Sequence, residues 1–207
     1  MTNSNALPPL DDGILGPDPV EQFRAWYDQV LRSGIKLPDA MSLATATREG
    51  KPSVRTVLLK DVSRKGFVFY SNYESRKGSE LAENPWGALA FHWPRFDRAV
   101  RVEGPVQKLS REESERYFAT RPRESQLSSL ASTQSRVIGS RRELDAQYET
   151  LRKTYEGKEI PCPRHWGGYL LRPERIEFWQ QRFARLNDRI EYRIGRDGTW
   201  TISRLAP

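Results

Sequence analysis

The 207-residue chain has one cysteine and two histidines. A lone Cys162 excludes an internal disulfide, and His92 and His165 are too few to build a compact Cys/His zinc cluster beside it. No run approaches the roughly 20 apolar residues of a membrane helix. The opening residues carry Asp11, Asp12 and Asp18 where a leader would have a basic start and an apolar stretch, so a soluble, cytoplasmic protein without a membrane partner is expected. Also missing are GxGxxG after a strand, GxxxxGK[ST], HExxH and GxSxG, which removes the classical dinucleotide, P-loop, zincin and nucleophile-elbow classes. What the chain does have is six Trp, eight Tyr and eight Phe, enough for a packed core and too many for wholesale disorder. Its net charge of +7 points to an anionic partner. The 34 basic residues are scattered among 27 acids, which leaves a solvated surface, a small phosphorylated ligand and nucleic acid all open.

Residues 1–19 contain four Pro and no apolar period, and read as a flexible tail. A single domain then spans 20–207. Asp18 is a natural N-cap with Pro19 at the first helical position, and Val20, Phe23, Tyr27, Val30 and Leu31 form one stripe up to Gly34. From Met41 short β-rich runs alternate with turn chemistry through RAVRVEGPVQKLS, where Gly104-Pro105 marks a bend or bulge, and a short helix interrupts them near Ser75 to Glu83. Ser110 with Glu113 and Ser140 with Glu143 are capping-box signatures. The Ser-rich stretch between those two helices is too long for a plain connector. Four more strand-like runs close the chain. Seven or so strands with few helices and no βαβ alternation indicate a mainly β, α+β fold built on a small closed or half-closed barrel.

Chemistry-bearing side chains gather at strand ends and turns. In SVRTVLLK, alternation places Arg55 and Val57 on one face and Leu58 and Lys60 on the other, so one strand could serve two anions. FYSNYESRKG sets Tyr70, Ser71 and Ser75 beside Arg76 and Lys77 at a helix start, a set that suits a phosphate and equally describes a solvated turn. Tyr117, Arg121 and Ser125 stand four apart. Pro122 ends the helix near Arg121 and would turn these side chains toward a pocket, or leave surface arginines on a capped end. Arg185, Asn187 and Arg189 alternate downstream of Trp179. In a strand they would share a face, a crowding of charge that favours a ligand over a plain edge. His92, His165 and Cys162 read as structural.

Taken in order, RTVLLK, GFVFYSNYESRKGSEL, FHW, RVEG, YFATRPRESQ, ASTQS, HWGGY, RIEFWQ, RLNDR and RLAP cover about Met41 to Pro207. Together they resemble the pyridoxine/pyridoxamine 5′-phosphate oxidases. The resemblance implies an FMN-binding split β-barrel, a homodimer with active sites at the subunit interface, and oxidation of a phosphorylated B6 vitamer by molecular oxygen. Matched motif by motif, it implies FMN contacts from Arg55, Val57, Leu58, Lys60, Tyr70, Ser71, Arg76, Lys77, Gln134, Ser135, Trp179 and Arg189. It assigns the substrate phosphate to Lys60, Tyr117, Arg121 and Ser125, and places Arg185 and Asn187 as catalytic residues at the substrate ring.

Four departures fall near that site. Asn187 stands where the family carries histidine, and an amide can hydrogen-bond but cannot become a cation near neutral pH. Ala99 replaces a glutamine expected at the flavin, Leu130 replaces an indole, and the N-terminal arm lacks the Arg and Tyr pair that closes over the substrate. They bear on substrate identity more than on fold. Two rivals follow: a sister flavin oxidase of the phenazine-pathway type, and a protein without catalysis, which binds FMN or pyridoxal phosphate or holds nucleic acid in a basic barrel. Against the last, the aromatics sit in strand motifs and not beside an open groove.

Overall fold

A computed structural model describes residues 8–10 and 15–207. The first helix, α1 (Pro19–Arg32), starts where the sequence places it: the Asp18 carboxylate accepts from the backbone N–H of Val20 and Glu21. Its apolar stripe enters the barrel. Phe23 meets Phe67 and Phe91 edge-on at 4.9 and 4.8 Å, and Trp26 packs on Phe178 at 5.2 Å. Aromatic burial of this kind contributes roughly 1.5–3 kcal/mol per side chain, so α1 belongs to the core.

Around it run β1 (Ala40–Ala46), β2 (Pro52–Leu58), β3 (Asp61–Ser63), β4 (Gly66–Asn72), β5 (Trp86–Trp93) and β6 (Arg98–Lys108). The chain closes with β7 (Trp166–Leu171), β8 (Arg175–Gln180), β9 (Asp188–Ile194) and β10 (Trp200–Arg204). All pairings are antiparallel, along β10-β9-β8-β6-β5-β1-β2, with β7 and then β4 and β3 branching from β6. Sequence reading counted about seven strands. The structure has ten among the described residues, one of them from the split of the SVRTVLLKDV run into β2 and β3.

Strand β6 makes the split barrel. Its first half, Arg98 to Glu103, pairs with β8, and Val106 to Lys108 pairs with β7. The change of partner falls at Gly104-Pro105, the bend expected there. A Cβ on Gly104 would lie 1.9 Å from the Arg172 carbonyl oxygen, so the crossover needs a residue without a side chain. Gly104→Ala is expected to lower the thermal unfolding midpoint by about 3–10 °C. An unchanged midpoint in a melting curve would mean the two backbones do not run that close.

Three helices cover one side: α3 (Arg111–Ala119), α4 (Arg123–Ala131) and α5 (Arg141–Thr154), while α2 (Arg76–Glu83) follows β4. Both capping serines act as expected, and Ser110 with Glu113 completes the reciprocal box. Helix α4 lies inside the Ser-rich stretch that is too long for a plain connector. Its serines are poor helix formers, and burial of Leu127 and Ala131 holds it in place. Of residues 1–19, read as a flexible tail, 1–7 and 11–14 lie outside the described residues. Leu10 and Leu15 are buried, and Leu10 N–H donates to Asp188 at 3.1 Å.

Candidate active site

Strand β2, the end of β4, the start of α2 and the α3–α4 corner enclose a cleft of about 770 Å³. Arg55, Val57, Leu58, Lys60, Tyr70, Ser71, Arg76, Lys77, Tyr117, Arg121, Gln134 and Ser135 all line it. Serine 75 caps α2 by accepting from Gly78 N–H, which turns the helix start and its partial positive charge toward the cleft. Lys77 is 7% exposed, and its ammonium donates to Ser71 at 3.0 Å, Ser75 at 3.1 Å and Gln134 at 2.9 Å. Burial, and then the neighbouring Arg55, push its pKa down to about 8.

Arg55 is held from several sides. One guanidinium nitrogen donates to the Leu43 carbonyl at 3.1 Å and Thr45 Oγ1 at 2.6 Å, and the other donates to Ser53 Oγ and, at 3.2 Å, to Glu80. Glu80 also accepts from Arg76 at 2.9 Å, from Ser53 at 2.5 Å and from Thr45. Burial pushes the Glu80 carboxyl up, but these hydrogen bonds outweigh it and hold the group at about 2.

A second cationic group sits on an aromatic wall. Tyr70 and Tyr117 stack at 3.8 Å, Trp166 continues the stack at 5.3 Å from Tyr70, and the Arg121 guanidinium lies 4.5 Å over the Trp166 ring. Arg121 donates to Ser129 Oγ at 2.8 Å. Burial and the nearby Tyr117 push the Tyr70 phenol up to about 12, so it stays neutral at ordinary pH. Lys60 forms an ion pair with Asp39 at 2.7 Å. Because β2 stops at Leu58, strand alternation does not carry through to Lys60, and both cations of that segment reach one cleft.

The remaining sequence-predicted residues lie elsewhere. Ser125 is in the first turn of α4 and is not part of the cleft lining. Trp179 pairs in register with Ala99 on β6 and Arg189 on β9. The expectation that Arg185, Asn187 and Arg189 share a strand face is corrected. Arg185 ends a 3-10 turn, and Ala184 and Arg185 both take positive φ, 55° and 62°. The Asn187 side-chain oxygen accepts from Arg182 N–H at 2.9 Å, while Arg189 forks onto Glu177 at 2.8 and 3.1 Å. Phe183 and Leu186, flanking Ala184 and Arg185, are 95% and 69% exposed. His92, read as a packed or hydrogen-bonded strand residue, lies in β5 and is exposed. No cluster of three metal-ligating side chains exists among the described residues.

Sequence reasoning missed Asp39, Ser129 and above all Glu80. The Arg76 to Glu80 spacing was a local signal, but the hydroxyls of Thr45 and Ser53 that complete the site come from β1 and β2.

Residues 27–155 match the family profile described as pyridoxamine 5′-phosphate oxidase, and 166–207 match the pyridoxine 5′-phosphate oxidase C-terminal dimerisation region. The chain belongs to the pyridoxamine 5′-phosphate oxidase family. A relative from Gloeothece citriformis, named pyridoxine/pyridoxamine 5′-phosphate oxidase, is 49% identical over 100% of this chain and 97% of its own. One of the same name from Rubrobacter xylanophilus is 52% identical over 95% of this chain and 90% of its own. Among solved structures, PhzG from Burkholderia lata, in complex with tetrahydrophenazine-1-carboxylic acid, superposes with a TM-score of 0.90 at 28% identity, covering 98% of each chain. A pyridoxamine 5′-phosphate oxidase-related, FMN binding protein from Nostoc punctiforme shares the fold with a TM-score of 0.73 at 15% identity, over 93% of this chain and 100% of that one. All of the cleft lining except Trp166 belongs to the first matched region. Trp179, Arg185, Asn187 and Arg189 all belong to the dimerisation region.

Proposed function

We propose that the chain is an FMN-dependent oxidase, acting as a homodimer, that converts pyridoxine 5′-phosphate and/or pyridoxamine 5′-phosphate to pyridoxal 5′-phosphate, with molecular oxygen as acceptor and hydrogen peroxide released. The observation that carries this reading is one cleft with two cationic groups on separate partners. Arg55 and Arg76 bond Glu80 near the buried Lys77, and Arg121 lies on Trp166. Such a cleft suits two phosphates, one on the cofactor and one on the substrate.

The residues fit FMN: hydroxyls, a helix start and buried cations for the phosphate, with Gln134 and Ser135 beside them. When bound, FMN supplies the redox chemistry, accepting a hydride from the substrate's 4′ carbon and passing the electrons to oxygen. The chain binds and aligns. Arg121, Lys60 and Tyr117 grip the vitamer phosphate, with Ser125 the remaining member of the set implied by the resemblance. Binding energy at the phosphate thereby fixes the distant reacting carbon. Trp179, Arg185, Asn187 and Arg189 complete the site from the partner subunit. Asn187 offers a hydrogen bond but cannot shuttle a proton. Anaerobic titration of the yellow protein with each phosphorylated vitamer tests this. Bleaching of the flavin band, and peroxide release in air, are expected with at least one of them. A yellow protein silent with both would fit the sister-oxidase reading, with which the likeness to PhzG is consistent. A colourless protein that takes up no FMN would remove the flavin altogether.

The buried ammonium also sets a pH dependence. A phosphate dianion favours charged Lys77, so FMN binding is expected to be flat from about pH 7, where the phosphate monoester is a dianion, to about pH 8, and to weaken about tenfold per pH unit above it, as the free protein loses that proton. Lys77→Met removes the step. The sign for the ligand-free fold is opposite: the unfolded chain holds the proton more tightly, so stability rises with pH from about 8 toward the ordinary lysine value. Fluorescence-quenching titrations across this range check the first statement, and a flat profile would contradict it.

A further inference from the structure

Among the described residues, Glu80 is the acidic side chain bonded to the cations at the cofactor-phosphate end, and it has no task in the proposed chemistry. Its carboxylate is buried, with a side-chain exposure of 5%, and four side chains from three elements donate to it: Thr45 from β1, Ser53 and Arg55 from β2, and Arg76 one turn back on α2. Both guanidinium groups line the cleft. Thr45 and Ser53 each accept from Arg55 while donating to Glu80, so the two hydroxyls relay the grip of the carboxylate to the guanidinium. A buried ion pair is weak evidence for stability, because desolvation offsets its attraction. The geometry favours a role in the pocket.

We infer that Glu80 is a positioning residue of the phosphate site. It fixes the pose of Arg55 and Arg76 and trims the charge of three cations to that of a phosphate monoester dianion, so that the pocket takes FMN in preference to a flavin lacking the phosphate. This rests on the FMN reading above. With Lys77 protonated, Arg55, Arg76 and Lys77 set against one carboxylate leave a net charge equal and opposite to the dianion. Without Glu80, the two guanidinium groups lose their common anchor and repel each other and Lys77. Arg76 is the more dependent of the pair, since its side chain is 64% exposed and Glu80 is what draws it inward.

The test compares FMN with riboflavin on the full-length protein stripped of flavin, by fluorescence quenching, for the native chain, Glu80→Gln and Glu80→Ala. FMN affinity is expected to fall about tenfold in the glutamine variant and up to about a hundredfold in the alanine variant. Riboflavin affinity should stay within about twofold, since the change acts on a phosphate that riboflavin lacks. A second readout is the pH midpoint of FMN binding. Burial and Arg55 lower Lys77 while Glu80 raises it, and Ser71, Ser75 and Gln134 are its neutral neighbours, so Glu80→Gln should move that midpoint downward. If the alanine variant fails to fold, the near-isosteric glutamine variant carries both readouts. Equal weakening of both flavins, or unchanged FMN affinity in the glutamine variant, would overturn the inference and leave the FMN reading standing. A native chain that bound riboflavin as tightly as FMN would overturn the reading, and the inference with it.

Discussion

Replacing Arg55 by methionine is expected to weaken FMN binding by at least about a hundredfold, the loss typical when one member of a buried, hydrogen-bonded charge pair is truncated. The effect has two sources. The pocket loses a two-pronged donor whose orientation Leu43, Thr45 and Ser53 have already fixed, so little ordering cost remains when a phosphate arrives. Glu80 also keeps its negative charge beside the site with one partner fewer. Arg55→Lys separates the two: it retains the charge but not the planar fork, and should recover only part of the affinity. Titration with FMN and thermal melting with and without the flavin measure both. Affinity within threefold of the native value for Arg55→Met would remove the guanidinium from the phosphate site.

Much of this arrangement is legible in the sequence, because its signals are local. Asp18 with Pro19 marked the start of α1, Ser110 with Glu113 the start of α3, and Gly104-Pro105 the place where β6 changes partner. Side chains that work where they stand, such as Lys77 at a helix start, were equally visible. Less visible was whatever depends on segments distant in sequence. Glu80 reads as an ordinary surface partner of Arg76 until Thr45 and Ser53 arrive from two other strands. Asp39 has no motif of its own and matters only because Lys60 reaches it. Helix α4 escaped because its serines carry no helical signal, and its buried face is two residues wide. Alternation failed at residues 185–189 for a further reason: two successive left-handed residues break the strand period there, and sequence spacing carries no sign of such a turn.

That turn bears on the second large effect. The segment after β8 projects Arg185 from a left-handed backbone at an exposed position, between two large apolar side chains left in solvent. A strained, apolar, cationic tip is costly to a lone protomer and makes sense as something a second copy covers. It lies in the dimerisation region, while the lining of the cleft, Trp166 apart, lies in the other matched region. Arg121→Met and Arg185→Ala should therefore each cut kcat/KM by about a hundredfold or more as homodimers. A heterodimer carrying one change per subunit, isolated through two different tags, should regain about half the native activity. One of its two sites then holds both changes and the other holds neither, as twofold symmetry requires. Heterodimers no more active than the single variants would mean that Arg121 and Arg185 serve the same protomer's site.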